Sequence, residues 1–154
     1  MPSTSGNRPT VREATVGDLA RVKRLADAHR HELGFVLLPS LREQIERQEM
    51  LVAIKGEEVI GFVDYHRRRD GQITLYHIAI DAGARRQGVG RALLDALQAE
   101  ARRMDCSRIA LKCPADLPAN YFYQRYGFEL QETLAGRKRP LNVWTLSFEP
   151  PPHN

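Results

Sequence analysis

The stretch from Ile78 to Leu94 constrains the fold more than any other part of the sequence. Apolar residues that end in Ile78, Ala79 and Ile80 predict a strand, and Gly88 and Gly90 stand at the start of an apolar helical pattern. A chain that turns from a strand into a helix leaves the first N–H groups of that helix without intrahelical partners, and the helix dipole adds positive potential there. The sequence therefore predicts a loop that binds a phosphate or a pyrophosphate.

Two well-known classes of phosphate loop do not fit this turn. A nucleoside triphosphate P-loop needs Gly-Lys-Ser/Thr, whereas Arg91 and Ala92 follow Gly90. A dinucleotide fingerprint needs a third small residue, and that position is Leu93. An anion loop of another class, or a plain glycine turn with solvated arginines, remains.

The motif RxxGxG, formed by Arg85, Gly88 and Gly90, resembles the pyrophosphate loop of the GCN5-related N-acetyltransferase (GNAT) family, which binds acetyl coenzyme A (acetyl-CoA). Downstream, Tyr123, Gly127 and Phe128 resemble the YxxxGF segment of the same family. Two motifs in the right order are more specific than one. The resemblance extends over residues 10–148.

Turn residues and apolar periodicity divide the chain into alternating elements. Thr15, with Asp18 three residues later, is predicted to cap the first helix, and Ser40, with Glu43, the second. Strands are predicted at 10–14, 50–54, 59–66, 73–80, 108–113, 128–134 and 141–148, helices from Thr15, from Ser40, at 88–104 and at 118–126, and a loop at 29–38. This order is that of the GNAT fold, an α/β (α+β) fold with a mixed, mostly antiparallel central sheet flanked by helices.

Length and composition favour one domain. With 154 residues, 42% of them hydrophobic, the chain can form one core but hardly two. We expect a disordered tail at 1–9, a single acetyltransferase domain at 10–148 and a second disordered tail at 149–154. No apolar run reaches the roughly 20 residues that cross a bilayer, and the N-terminus is not a signal sequence, so a cytoplasmic protein without a membrane partner is expected.

The net charge of +4 is spread over small groups, among them Arg67–Arg69 and Arg137–Arg139, which read as solvated hairpin tips. Aromatic residues do not interleave with them, so nucleic acid is not an expected partner. Cys106 and Cys113 have no companions at zinc spacing, and we predict that both are small core residues. No metal cofactor is expected.

The resemblance implies where the cofactor binds. The pantetheine of acetyl-CoA would pair with backbone groups at the end of the predicted strand 73–80, and the pyrophosphate with N–H groups of the loop. The implied cofactor-binding residues are Ile78, Ala79, Ile80, Arg85, Arg86, Gln87, Gly88, Val89, Gly90, Arg91 and Asn120. Asn120 is included because Asp116 occupies the position where the family commonly has an asparagine; Asp116 is equally plausible as a helix N-cap.

The resemblance also implies catalytic roles. Tyr123 is the expected general acid for the leaving thiolate, and the N–H of Ile80 is the expected oxyanion donor. The general base is less defined. Strand alternation puts Thr74, Tyr76, Ile78 and Ile80 on the face from which the family's bases often come, so Tyr76 is our candidate, and His77 on the other face is expected to be a core or supporting histidine. Glu32, His31, His66 or a water relay stay open.

The resemblance implies an amine as the acceptor. By resemblance, residues 29–38 and 136–144 line its site, with Phe35 and Trp144 as apolar surface. We expect an N-acetyltransferase that transfers an acetyl group from acetyl-CoA to a primary amine by direct attack in a ternary complex. An acyl-CoA-binding sensor without turnover is the alternative, and a homodimer stays open.

Overall fold

A computed structural model describes residues 8–148. The predicted tails at 1–9 and 149–154 therefore lie outside the described residues, except for Arg8 and Pro9. The elements are β1 (Thr10–Glu13), α1 (Leu19–Ala28), α2 (Arg30–Leu33), α3 (Leu38–Glu46), β2 (Met50–Lys55), β3 (Glu58–Arg67), β4 (Gln72–Ile80), α4 (Val89–Arg103), β5 (Arg108–Pro114), α5 (Ala119–Tyr126), β6 (Glu129–Leu134) and β7 (Leu141–Ser147).

The strands form one mixed seven-stranded sheet in the order β1-β2-β3-β4-β5-β7-β6. The pairings of β1 with β2, β2 with β3, β5 with β7 and β6 with β7 are antiparallel, and that of β4 with β5 is parallel. The predicted fold class is confirmed, and every predicted strand and helix is present with ends shifted by a few residues. Within residues 8–148, no helix is long and apolar enough to span a membrane.

The described chain divides into two compact units. The first unit contains residues up to Tyr65 together with His77–Leu97, and the second contains His66–Tyr76 together with residues from Gln98 onward. Our prediction of a single domain over 10–148 stays a prediction.

In the first unit, β1, β2 and β3 form an antiparallel ladder in which Val52 pairs with Phe62. One face of this ladder packs against α1 and α3. The core of that layer includes the apolar helix residues Leu19, Val22, Leu25, Ala26, Leu41 and Ile45 and the strand residues Met50, Val52, Val59 and Phe62. The helix residues recur at the 3.6-residue spacing that the sequence shows.

The capping box predicted at Thr15 and Asp18 is present, but it caps a short 3-10 helix over Val16–Asp18 that runs directly into α1. The carboxylate of Asp18 accepts a hydrogen bond from the N–H of Thr15 at 2.8 Å. It also accepts two from the guanidinium of Arg12, at 2.8 and 3.0 Å. The first bond satisfies an N–H at the helix entrance, and the other two tie β1 to the same point.

Two predictions about the next segment are wrong. Ser40 does not cap the second helix, because α3 already begins at Leu38 with Leu37 as its N-cap. Pro39 sits in the first turn, where a missing N–H costs no intrahelical hydrogen bond, so it marks the start of the helix better than Ser40 does. The predicted loop at 29–38 contains the short helix α2.

In the second unit, β7 lies between β5 and β6 and pairs with both in antiparallel register. The parallel ladder between β4 and β5 runs from the pair Gln72–Arg108 to the pair Thr74–Ala110. Cys106 and Cys113 are both buried, which confirms that both are core residues.

Candidate active site

The loop between β4 and α4 is the predicted anion-binding loop. It begins with Asp81, whose carboxylate accepts a hydrogen bond from the N–H of Gly83 at 3.2 Å and so closes a short turn over Ala82–Ala84. The first hydrogen bond of α4 runs from the N–H of Ala92 to the carbonyl of Gly88. The N–H groups of the residues just before Ala92 therefore have no intrahelical partner.

Two residues of this loop have left-handed backbone conformations. Arg86 has a φ of 64° and Gly88 a φ of 78°. Such conformations turn successive N–H groups towards one side of the chain and form concave sites for anions. A Cβ built on Gly88 meets no heavy atom of the described chain within 4 Å, so the space beside this glycine is open. The loop can accept an oxyanion at that point.

Positive charge surrounds the loop. Arg85, Arg86 and Arg91 are exposed. Lys55 of β2 adds a fourth cation, because its Nζ donates to the side-chain oxygen of Gln87 at 2.9 Å. Sequence reasoning missed Lys55, which lies 32 positions before Gln87, and no local pattern links the two.

The other end of the loop is attached to α1. Arg21 donates to a carboxylate oxygen of Asp81 at 3.3 Å and to the carbonyl of Val59 at 3.0 Å. One side chain thus connects the helix, β3 and the first residue of the loop. Asp81 is held by these bonds and by Gly83, so its negative charge is matched within the protein.

A glycine in β3 brings the first turn of α4 close to the sheet. A Cβ on Gly61 would lie 3.1 Å from the carbonyl oxygen of Ala79 and 3.2 Å from Cγ1 of Val89. Both distances are shorter than ordinary van der Waals contacts. The close approach at Gly61 helps to set the position of the helix end that forms the loop.

The predicted alternation along β4 is confirmed. Leu75 and Ala79 are buried, whereas Tyr76 on the opposite face is 49% exposed. His77 shares the face of Ala79, and its Nδ1 lies 2.8 Å from a carboxylate oxygen of Asp64. Asp64 is 2% exposed and was missed by sequence reasoning, since it stands alone in an apolar strand. The catalytic role predicted for Tyr76 stays a prediction.

In the second unit, Tyr123 is buried in an aromatic cluster formed by residues of α5 and by Phe128, two residues after the end of the helix. Its ring centroid lies 5.5 Å from that of Phe122 and 5.6 Å from that of Phe128, and Tyr126 packs against Phe122 and Phe128. Such edge and tilted contacts hold aromatic rings in fixed orientations. The cluster therefore orients the phenol of Tyr123, whose role as general acid stays a prediction.

Asn120, in the first turn of α5, forms four side-chain hydrogen bonds, which we call the Asn120 clasp. Its Nδ2 donates to the carbonyls of Pro114 and Leu117, both at 2.8 Å. Its Oδ1 accepts from Nε1 of Trp144 at 2.8 Å and from Nδ2 of Asn142 at 3.0 Å. The clasp uses both donors and both lone pairs of the amide, and it joins β5, α5 and β7.

Asp116 is not the N-cap of α5. The N-cap is Pro118, which is two residues later in the chain. The carboxylate of Asp116 is exposed and lies 3.5 Å from the guanidinium of Arg139. Asn120 donates to carbonyl groups before α5 and does not act as its N-cap, and the contact of Asn120 with a cofactor stays a prediction.

The two segments expected to line the acceptor site differ in exposure. Phe35 is 79% exposed, and the guanidinium of Arg30 lies 4.7 Å from its ring centroid. Trp144 is 5% exposed, so it does not form an open apolar surface as expected. It lies instead at the wall of a cleft of about 330 Å³, together with Ala115, Asp116, Leu117, Pro118, Asn120, Tyr121 and Gln124.

A model of the acetyltransferase (GNAT) family matches residues 19–128. No curated protein matches the chain.

Solved structures also match it. Ard1 from Thermoplasma volcanium has a TM-score of 0.84 and 22% identity, over 92% of this chain and 98% of that one. The ribosomal-protein-alanine N-acetyltransferase of Brucella melitensis has a TM-score of 0.76 and 25% identity, over 90% and 99%. Rv2747 from Mycobacterium tuberculosis, solved in complex with CoA and NLQ, has a TM-score of 0.71 and 25% identity, over 84% and 77%.

Proposed function

Because the chain belongs to the acetyltransferase (GNAT) family, we propose that it transfers an acetyl group from acetyl-CoA to a primary amine by direct attack in a ternary complex. The motifs at Arg85–Gly90 and Tyr123–Phe128 suggested this family, and the match over residues 19–128 confirms it. Acetyl-CoA is the proposed co-substrate, and we propose that the protein works in the cytoplasm.

The observation that carries the proposal is the open turn at Gly88. Its backbone has a φ of 78°, the space beside it is open, and it immediately precedes the first turn of α4. In our proposal the pyrophosphate of acetyl-CoA binds to N–H groups of this turn, and Arg85, Arg86 and Arg91 supply charge. A Cβ at position 88 would hold the phosphates away from the backbone.

The proposed reaction needs an oxyanion donor, a base and an acid. The amine attacks the thioester carbonyl, the N–H of Ile80 donates to the oxyanion, and the carbon–sulfur bond breaks as the tetrahedral intermediate collapses. Tyr123 then donates its phenolic proton to the leaving thiolate. Burial of Tyr123 supports a proton donor in a fixed orientation rather than a solvated one.

A primary amine is the acceptor class that the related proteins support. One of the similar structures is a ribosomal-protein-alanine N-acetyltransferase, at 25% identity. We carry over the reacting group, an amine, and not that protein's own substrate.

Cofactor binding and turnover are tested in sequence. Thermal unfolding of the full chain with CoA and with acetyl-CoA should give a higher midpoint with both, because each carries the pyrophosphate. A thiol-release screen over alkylamines, amino acids and peptides should then reveal turnover. A stabilised chain that releases no thiol with any acceptor would identify an acyl-CoA sensor, and absence of stabilisation would refute the proposal.

The acid role has a matched control on the same helix. Tyr123→Phe keeps the aromatic cluster and should lower kcat about 100-fold, because a positioned proton donor contributes at least that much. Tyr126→Phe removes another phenol of the same cluster, one whose hydroxyl lies 3.4 Å from Gln98, and should leave kcat unchanged. Equal kcat values for Tyr123→Phe and the unchanged chain would exclude Tyr123 as the acid.

A further inference from the structure

A buried carboxylate lies in the sheet of the first unit without a part in the reaction described above. Asp64 is 2% exposed, in a strand where its neighbours Phe62, Val63 and Tyr65 are all buried. Burial of a carboxylate is unfavourable unless it accepts strong hydrogen bonds. Asp64 accepts one from Nδ1 of His77, at 2.8 Å.

This bond fixes the proton arrangement of the histidine. A carboxylate accepts hydrogen bonds, so Nδ1 of His77 carries the proton that is donated to Asp64. The lone pair of the neutral ring is then on Nε2. A carboxylate behind an imidazole holds the ring in one orientation and stabilises the imidazolium that forms when Nε2 takes up a proton.

The pair lies on the helix-covered face of the sheet. Asp64 is paired with Met50 across the β2–β3 ladder, and Met50 belongs to the core cluster formed with α1 and α3. Ala79 belongs to the same cluster and is two residues from His77 on β4, so the side chain of His77 lies on the same face of the sheet. Residues 29–38, which we expect to line the acceptor site, connect α1 to α3, and their Val36 belongs to the same core cluster.

His77 is not sealed in the core. Its side chain is 26% exposed, whereas that of Asp64 is 2% exposed. It precedes Ile80, the proposed oxyanion donor, by three residues, which is about 10 Å of strand. A water molecule bonded to Nε2 would extend the reach of the imidazole along the strand.

We propose that His77, oriented by Asp64, is the general base that accepts the proton of the acceptor's ammonium group, directly or through one water. The inference rests on the proposed function and names the base that it needs. The ammonium gives one proton to Nε2, and the neutral amine attacks the thioester carbon. A carbon–nitrogen bond forms and the carbon–sulfur bond breaks. The second amine proton replaces the one that Tyr123 gives to the thiolate, and His77 releases its proton to water.

Two nearly isosteric variants separate this role from a purely structural one. In His77→Asn the amide nitrogen can occupy the position of Nδ1 and keep the hydrogen bond to Asp64, but no basic atom remains. In His77→Gln the amide reaches towards the position of Nε2 and the bond to Asp64 is lost. If the pair serves only the structure, its hydrogen bond is kept in His77→Asn and lost in His77→Gln. If His77 is a base, the base is lost in both variants.

The experiment measures kcat, CoA affinity and the unfolding midpoint, with an alkylamine that the unchanged chain acetylates. We expect His77→Asn to keep the midpoint and the CoA affinity and to lower kcat about 100-fold. Normal kcat in His77→Asn overturns the inference, and does so decisively if Tyr76→Phe is the slow variant. Absence of thiol release from the unchanged chain with every amine is a separate result, which refutes the proposed function and this inference with it.

A second readout varies the acceptor. An alkylamine is protonated at neutral pH and needs a base, whereas a hydrazide is largely neutral and does not. With one acceptor of each kind, both acetylated by the unchanged chain, His77→Asn should lose turnover of the alkylamine and keep that of the hydrazide. Equal losses with both would exclude the role in proton removal.

Discussion

At the start of α4 the polar groups of the chain are exposed, whereas at the start of α5 they are bonded to one another. Arg85, Arg86, Gln87 and Gly88 are exposed, and the backbone turn beside Gly88 is open. Asn120, in contrast, uses its whole amide group in four bonds to its own protein. Both regions are helix entrances with a family motif. The polar groups at the start of α4 can form hydrogen bonds to a ligand, whereas Asn120 at the start of α5 uses its hydrogen bonds to hold the protein together.

The largest expected effect comes from removing the Asn120 clasp. Asn120→Ala leaves two donors and two carbonyls without their partner, and each unsatisfied group costs about 1–3 kcal/mol when buried. Because these groups are only partly buried, we expect a loss of about 3 kcal/mol in the free energy of unfolding, measured by urea denaturation. Trp144→Phe removes one of the four bonds and should cost about 1 kcal/mol.

Measurements of CoA affinity can contradict the structural role of the clasp. If Asn120→Ala kept its stability and lost CoA binding, the asparagine would belong with the ligand-binding groups. The contrast between the two helix entrances would then be broken.

The second prediction concerns the open turn. Gly88→Ala should weaken the binding of CoA about 30-fold, or about 2 kcal/mol, because the new Cβ occupies the space in which the pyrophosphate would approach the backbone. Isothermal titration calorimetry measures the change. Binding of pantetheine, which has no pyrophosphate, should not differ between the variant and the unchanged chain.

A glycine with the same backbone conformation serves as the control. Gly71 has a φ of 83°, and an added Cβ would likewise meet nothing within 4 Å. Gly71→Ala introduces similar backbone strain, of about 1–2 kcal/mol, and should leave CoA affinity unchanged. Equal losses of affinity in the two variants would mean that strain, and not the occupied space, weakens binding.

The third prediction concerns the ion pair between Arg12 and Asp18. Hydrogen bonds from Arg12, together with that from the N–H of Thr15, hold the pKa of Asp18 below its usual value, against the opposing effect of burial. A group whose folded pKa is lowered stabilises the fold above its unfolded pKa, and this contribution is lost as the pH falls through the folded pKa. Stability should therefore fall on acidification below about pH 4.

Asp18→Asn removes this dependence. Because the guanidinium of Arg12 is half-exposed and screened by solvent, the variant should lose only about 1 kcal/mol at neutral pH. Urea denaturation at several pH values measures both effects. An unchanged acid limb in Asp18→Asn would assign the dependence to other carboxylates.

The two helix entrances also differ in how far the sequence predicts them. The open turn follows from adjacent residues, since Arg85, Gly88 and Gly90 form one short motif whose backbone chemistry is local. The clasp joins Asn120 to Trp144, which is 24 positions away, and only the fold brings them together. Contacts of this kind leave no periodic signal in a single sequence.

Other elements of the fold differ in the same way. The apolar periodicity of α1 and of β4 predicted which faces are buried, because burial follows the helix and strand repeats. Asp64 lies on β3 and His77 on β4, so the alternation along β4 could assign His77 to a face but could not identify its partner. The start of α3 was misjudged because Ser40 and Glu43 form a capping pattern by chance, while Pro39 was the better signal.

The smallest expected effect concerns the edge of the open turn. Lys55 belongs to β2, outside the loop that carries the arginines, and it donates to the side chain of Gln87. Its charge acts at a partly solvated site, so Lys55→Ala should weaken CoA binding only about threefold at low salt. Because the Debye length falls to about 3 Å in 1 M salt, the difference should then disappear. Lys138→Ala removes an equal charge from an exposed turn of the second unit and should change the affinity at neither salt concentration. If both lysine variants weakened binding equally, the net charge of the protein would account for the effect, and the local cation at the turn would not.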